Sequence, residues 1–198
     1  MHEPEPVSFP HSLDRDGILA GLTSTDSDVV RSAAMACRDD PEGIDLLGAR
    51  LHLVEDTHIA EILILSIVAI GGPRAAQTLV PLLRSNDPGR RFAAIEALRD
   101  LGADAQDAFD ALVQDADPDV RTLAAEIARG PNSPAAAATL AARLAHEEDL
   151  NVCCAFVDVL AEIGSASEAA ALRSLLHRFP DSSFLRFSVD AALARLAS

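Results

Sequence analysis

Apolar residues recur at helical spacing through most of this chain, in helix-length runs separated by short clusters of Gly, Pro, Asp and Ser. From Asp14 onward the runs pair into six helical hairpins, each with a first (A) and a second (B) helix. The spacing predicts A and B helices near 14–24 and 28–39, 42–54 and 57–70, 74–85 and 88–101, 104–114 and 118–129, 134–146 and 149–163, and 166–178 and 182–197. Gly71, Gly72, Gly102, Gly130 and Gly164 fall where B helices should stop, since glycine readily supplies the left-handed turn that ends a helix. Asp26, Asp56, Asp87, Asp117 and Asp181 fall where B helices should start, each with a side-chain oxygen able to accept from free N–H groups of the first turn. Pro88 and Pro118 follow two of these caps, where a missing N–H costs nothing.

The unit recurs about every thirty residues, the period of stacked helical hairpins. Three segments show it most clearly: DSDVVRSAAMAC (26–37), DPGRRFAAIEAL (87–98) and DPDVRTLAAEIA (117–128). Residues 1–12 are rich in Pro and Glu and read as a disordered tail, and 13–198 read as a single repeat domain with no long linker.

The pattern D-P-x-V-R-x-x-A-A-x-A-[LI] resembles the HEAT repeat, in the short form found in phycobilisome lyase subunits and many bacterial proteins. Residues 117–128 match it best, 87–98 carry Arg90 in the Val position, and 26–37 match with one extra residue in the turn. Repeat 2 has Glu61 and repeat 5 has Asn151 at the Arg position, and repeat 6 keeps Arg186 with a shifted register. The resemblance implies an all-α fold: a right-handed α-solenoid, an armadillo/HEAT-type superhelix of about six antiparallel helix pairs. It also implies a structural ladder. Asp26, Asp87 and Asp117 would cap their helices, and Arg31, Arg91 and Arg121 would reach a carboxylate or carbonyl of a neighbouring repeat. About activity it implies little, because a fold does not fix a function.

Composition narrows the function classes. The formal net charge is −15, and every one of the 16 basic residues is Arg, with no Lys. A phosphate-backbone binder needs a basic stripe, so nucleic acid is not expected as a partner, and an anionic membrane surface is disfavoured for the same reason. A HEAT-like DNA glycosylase would also need aromatic residues for a flipped base, and Trp and Tyr are absent. The apolar run 59–72 is interrupted by Glu61 and too short to span a bilayer, and the N-terminal residues lack a signal-peptide pattern. A cytoplasmic protein is expected.

Candidate chemistry is sparse. The six histidines form no i,i+4 pair, no C-x-x-C occurs, and neither a metal site nor a cofactor is expected. Cys37, Cys153 and Cys154 lie in apolar helical runs and read as small core residues. No catalytic residue stands out.

One row on the B helices exceeds what a core requires. With Arg31, Glu61, Arg91, Arg121 and Asn151 taken as equivalent, the positions one and four residues later include Met35, Ile62, Leu65, Phe92 and Ile95. The repeat-2 run ILILSIVAI is apolar on all sides. Either it is buried between repeats 1 and 3, or these five residues form an apolar strip on the concave face, rimmed by Arg38, Arg91 and Arg99, that binds a partner. The expected function is a non-catalytic protein–protein interaction module (adaptor, scaffold or regulatory subunit). Its expected partner is a basic or amphipathic protein or peptide, and the chain itself is expected to be a monomer or weak homodimer. The alternative is a HEAT-type subunit of a chromophore lyase or other protein-modifying enzyme.

Overall fold

The computed structural model describes residues 13–40, 42–130 and 133–197, and residues 1–12, where the tail was expected, lie outside them. The described residues form twelve α-helices and four 3-10 segments, with no strand. They pack as two compact units, one ending at Ile70 and one starting at Gly71.

The first unit holds two hairpins: α1 (Arg15–Leu22) with α2 (Ser27–Ala36), and α3 (Gly43–Leu53) with α4 (Thr57–Ile70). The A helix α1 packs on α3, and the B helix α2 on α4. Its core is built from Leu22, Val30, Ala33, Leu47, Leu51, Leu63 and Ile67. The chain turns tightly between the hairpins, where a Cβ on Gly43 would lie 1.9 Å from the Cys37 carbonyl oxygen.

The second unit holds four hairpins. They pair α5 (Gly72–Leu79) with α6 (Pro88–Leu101), α7 (Gln106–Leu112) with α8 (Pro118–Ile127), α9 (Ser133–Leu144) with α10 (Leu150–Ile163), and α11 (Ala169–Arg178) with α12 (Ser183–Leu196). The B helices stack in order, α6 on α8, α8 on α10 and α10 on α12, and the A helices do the same. The A helix expected at 74–85 changes to 3-10 geometry at Val80, because Pro81 cannot donate to the α ladder. Gly71 and Gly102 adopt positive φ of 75° and 55°, the conformation that the helix ends demand.

Five B helices start on an aspartate. Asp26, Asp56, Asp87 and Asp117 each accept from backbone N–H groups two or three residues on, at 2.8–3.4 Å. Asp149 does the same for α10. Asp181 does not: Ser182 caps α12, its hydroxyl accepting from the Leu185 N–H at 3.2 Å. The turn before the cap also repeats. The N–H of the cap donates to the side chain two residues earlier, Ser24, Ser85, Asp115 or Glu147, at 2.9–3.2 Å.

Candidate functional site

The cap fixes the register of everything after it. Four residues past the cap lie Val30, Ala60, Arg91, Arg121, Cys153 and Arg186, one full turn into each B helix. In the last four repeats this side chain donates to the carbonyl two residues before the cap. Arg91 reaches Ser85 at 2.7 Å, Arg121 reaches Asp115 at 2.8 Å, and Arg186 reaches Pro180 at 3.2 Å. Cys153 takes the same place with its thiol 3.7 Å from the Glu147 oxygen.

Arg31 is therefore not a member of this ladder. It stands five residues past Asp26, is exposed, and makes no hydrogen bond or ion pair among the described residues, while Val30 fills the ladder position in the core. Glu61 likewise stands one residue past the ladder position at Ala60, whereas Asn151 stands two residues before it, at Cys153. The carbonyl that Arg91 and Arg121 reach belongs to their own turn.

Arg121 does cross to the next repeat through its remaining nitrogens. Nε and Nη2 form a fork on the two carboxylate oxygens of Glu147, both at 2.8 Å. Glu147 is 1% exposed and also accepts from the N–H groups of Glu148 and Asp149, with the Arg143 guanidinium 3.5 Å away. Burial acts to raise the Glu147 pKa, but the Arg121 fork, the Asp149 N–H and the nearby charges hold it below the ordinary carboxylate range. Cys153, on the same carbonyl, is pushed up to about 11, first by burial and then by the Glu147 charge. Burial does the same to Cys37, also to about 11. These thiols stay protonated at neutral pH, so neither carries thiolate chemistry.

Two further arginine rows were missed by sequence reasoning. On the A helices, Arg50 donates to the Leu22 carbonyl at 2.7 Å, Arg143 to Val113 at 3.1 Å, and Arg178 to Leu144 and Glu147. Each satisfies orphan carbonyls at the C-terminal end of the preceding repeat's A helix or turn. The recurring string Ala-Arg-Leu-x-x-x-Glu-Asp, at 49–56 and 142–149, was the signal. Near the ends of B helices, Arg99 donates to the Glu126 carbonyl at 2.9 Å and pairs with Glu96. Arg129 pairs with Glu126, Asp158 and Glu162.

These contacts redraw the expected partner surface. Ile62 and Ile95 are buried, so neither belongs to an exposed strip. Register explains Ile95, which is eight residues past its cap where Met35 and Leu65 are nine; Ile62 is in register with the exposed Ser32, six past the cap, and is buried all the same on the nearly all-apolar α4. Arg91 and Arg99 are half-buried struts and not a free rim. Arg38 is exposed. Met35 and Leu65, both nine residues past their caps, stand in solvent on α2 and α4. Phe92 stands in solvent on α6, as do Phe184 and Phe187 on α12. At the Met35 and Leu65 position the second unit carries Glu96, Glu126 and Asp158, and Ala191 in α12. Among the described residues no group of three or more His, Cys, Asp or Glu side chains is placed to hold a metal ion. None of the helices is long and apolar enough to cross a membrane.

The family model for HEAT repeats matches residues 15–99 and 105–194. The chain belongs to the HEAT-repeat family. Several solved structures are similar to this HEAT-repeat protein over most of its length at low identity. Human deoxyhypusine hydroxylase in complex with glycerol is 21% identical, with a TM-score of 0.48 over 91% of this chain and 72% of that one. A designed armadillo repeat protein in complex with peptide (KR)4 is 18% identical, with a TM-score of 0.43 over 90% and 98% of the two chains. The CpcE–CpcF complex of phycocyanin lyase from Nostoc sp. PCC7120 is 21% identical, with a TM-score of 0.38 over 91% and 81%. No curated protein matches the HEAT-repeat chain.

Proposed function

We propose that this HEAT-repeat protein is a non-catalytic interaction module, an adaptor, scaffold or regulatory subunit of the cytoplasm, that binds a partner protein or peptide through its B helices. One observation carries the reading: large apolar side chains stand in solvent on B helices of both units. Met35 and Leu65 do so in the first, and Phe92, Phe184 and Phe187 in the second. Exposed large apolar side chains mark contact surfaces, and most of those among the described residues lie on B helices, with Leu19 and Leu53 on A helices. A stacked scaffold presents them preformed, which lowers the ordering cost of binding. The net charge of −15 favours a basic or amphipathic partner through long-range attraction and discourages contact with nucleic acid.

The test is an affinity capture from host lysate, with wild type beside Leu65→Glu and Phe92→Glu. Both side chains are exposed, so both variants should keep their helical circular dichroism. A partner held by wild type and lost by either variant supports the reading. Capture at equal strength by all three, or no partner at all, counts against it.

A further inference from the structure

The first hairpin presents a stacking face that nothing among the described residues covers. The position three residues past the B-helix cap shows this. It is Ile59 in α4, Val120 in α8, Val152 in α10 and Leu185 in α12, with Arg90 at that place in α6. The four apolar residues are 5%, 2%, 0% and 0% exposed, and each of their helices has a B helix stacked before it. In α2 the equivalent is Val29, which is 45% exposed. A residue that is core in four hairpins is surface in the first.

Around Val29 lies a groove of about 970 Å³ between α1 and α2. Its floor is made of small residues, Gly17, Ala20, Gly21 and Ala36, and Met35 stands at its edge. Small residues let a helix backbone approach closely, and the ten residues of α2 give the groove a length of about 15 Å, some three turns. Asp14 and Asp16 stand at the start of α1, and Asp26 and Asp28 at the start of α2. The two helices form a hairpin, so these exposed carboxylates flank opposite ends of the groove. No basic residue lines it, and Arg15 is turned away onto Asp40 and Glu42.

We infer that this groove takes a cationic amphipathic helix of a partner protein, seated where one more solenoid helix would stack. The inference deepens the interaction-module reading and rests on it. The helix sets its apolar stripe against Val29, Met35 and the small residues, and its basic residues meet the aspartates at the two ends.

The probes are two fluorescein-labelled helical peptides with the same leucine stripe, one with Lys and one with Glu on the polar face. Binding is read by fluorescence anisotropy at physiological salt. The Lys peptide is expected to bind at least about ten-fold more tightly than the Glu peptide. Val29→Asn with Met35→Gln should weaken the Lys peptide by about ten-fold or more, while Leu53→Glu, at the exposed end of α3 and outside the groove, leaves it unchanged. Asp16→Asn with Asp28→Asn should narrow the gap between the peptides.

Equal binding of the two peptides, or loss with Leu53→Glu in place of the groove variant, overturns the inference. So does a dimer of the chain that the groove variant dissociates without peptide, since a second copy would then be the occupant. A gain of about ten-fold on removing residues 1–12 would likewise assign the groove to the chain's own N-terminal residues. A lysate partner held by wild type and groove variant alike would refute the groove while leaving the module reading intact.

Discussion

The two units solve the same packing problem with different chemistry. In the first, the ladder position holds Val30 and Ala60, and the B helices are tied by apolar contact alone at that level. In the second, the same position holds Arg91, Arg121, Cys153 and Arg186, and each side chain is spent on a turn carbonyl. The outward row differs in the opposite sense. Met35 and Leu65 stand bare in the first unit, whereas Glu96, Glu126 and Asp158 are held by Arg99 and Arg129 in the second. At this position the first unit leaves apolar side chains bare where the second carries acids held by its own arginines, and the second unit's bare apolar groups, Phe92, Phe184 and Phe187, lie elsewhere on its B helices.

The comparison breaks hardest at Glu147. Glu147→Ala strands the buried Arg121 guanidinium and should cost about 3–5 kcal/mol in urea unfolding, against roughly 2 kcal/mol for Val30→Ala at the ladder position of the first unit. Exchanging the pair together, Arg121→Met with Glu147→Leu, should restore most of that loss, because a buried ion pair and a packed apolar pair of similar size are close in free energy. A double variant as unstable as Glu147→Ala would mean that the hydrogen bonds to the turn, and not the pair, hold the second unit together.

Acid should expose the same difference. The Glu147 carboxyl is held below its ordinary range in the fold, so the unfolded chain binds its proton first as pH falls. The stability this group contributes is complete above its unfolded pKa of about 4.3 and drains away as pH drops through its lower folded value. Wild type should lose stability more steeply than Glu147→Gln over that window, by chemical unfolding at stepped pH. Parallel curves would place the acid sensitivity elsewhere.

Smaller effects sharpen the picture. In Gly21→Ala the new Cβ would fall 2.6 Å from the Ala33 Cβ, forcing α1 off α2 at about 1–3 kcal/mol. Asp26→Ala and Asp117→Ala should each cost about 1 kcal/mol, since the cap is common to both units. Arg31→Ala should cost less than about 0.5 kcal/mol, being a surface change outside the ladder. Thermal unfolding separates these three classes.

The helix boundaries were legible because Gly, Pro and Asp act locally, on the residues beside them. The ladder was harder to read because the eye counts from arginine to arginine, while the chain counts from its cap. Arg31 lies thirty residues from nothing structural, whereas Val30 and Ala60 lie thirty apart on the inner face. Asp149 was hidden in an acidic run, where only geometry shows which carboxylate faces the helix. Glu147 was invisible for a deeper reason. Its partners Arg121, Arg143 and Arg178 come from three different helices, and no local pattern joins them.

The arginine struts of the second unit have a kinetic consequence. They join residues 26, 27, 29, 30 and 34 positions apart, never more than about one repeat along the chain. Each strut thus closes a short loop, and no distant segment must be found before it forms. Such a chain gains its order one hairpin at a time, each new hairpin templated by the last, and it can do so while the remainder is still being synthesised.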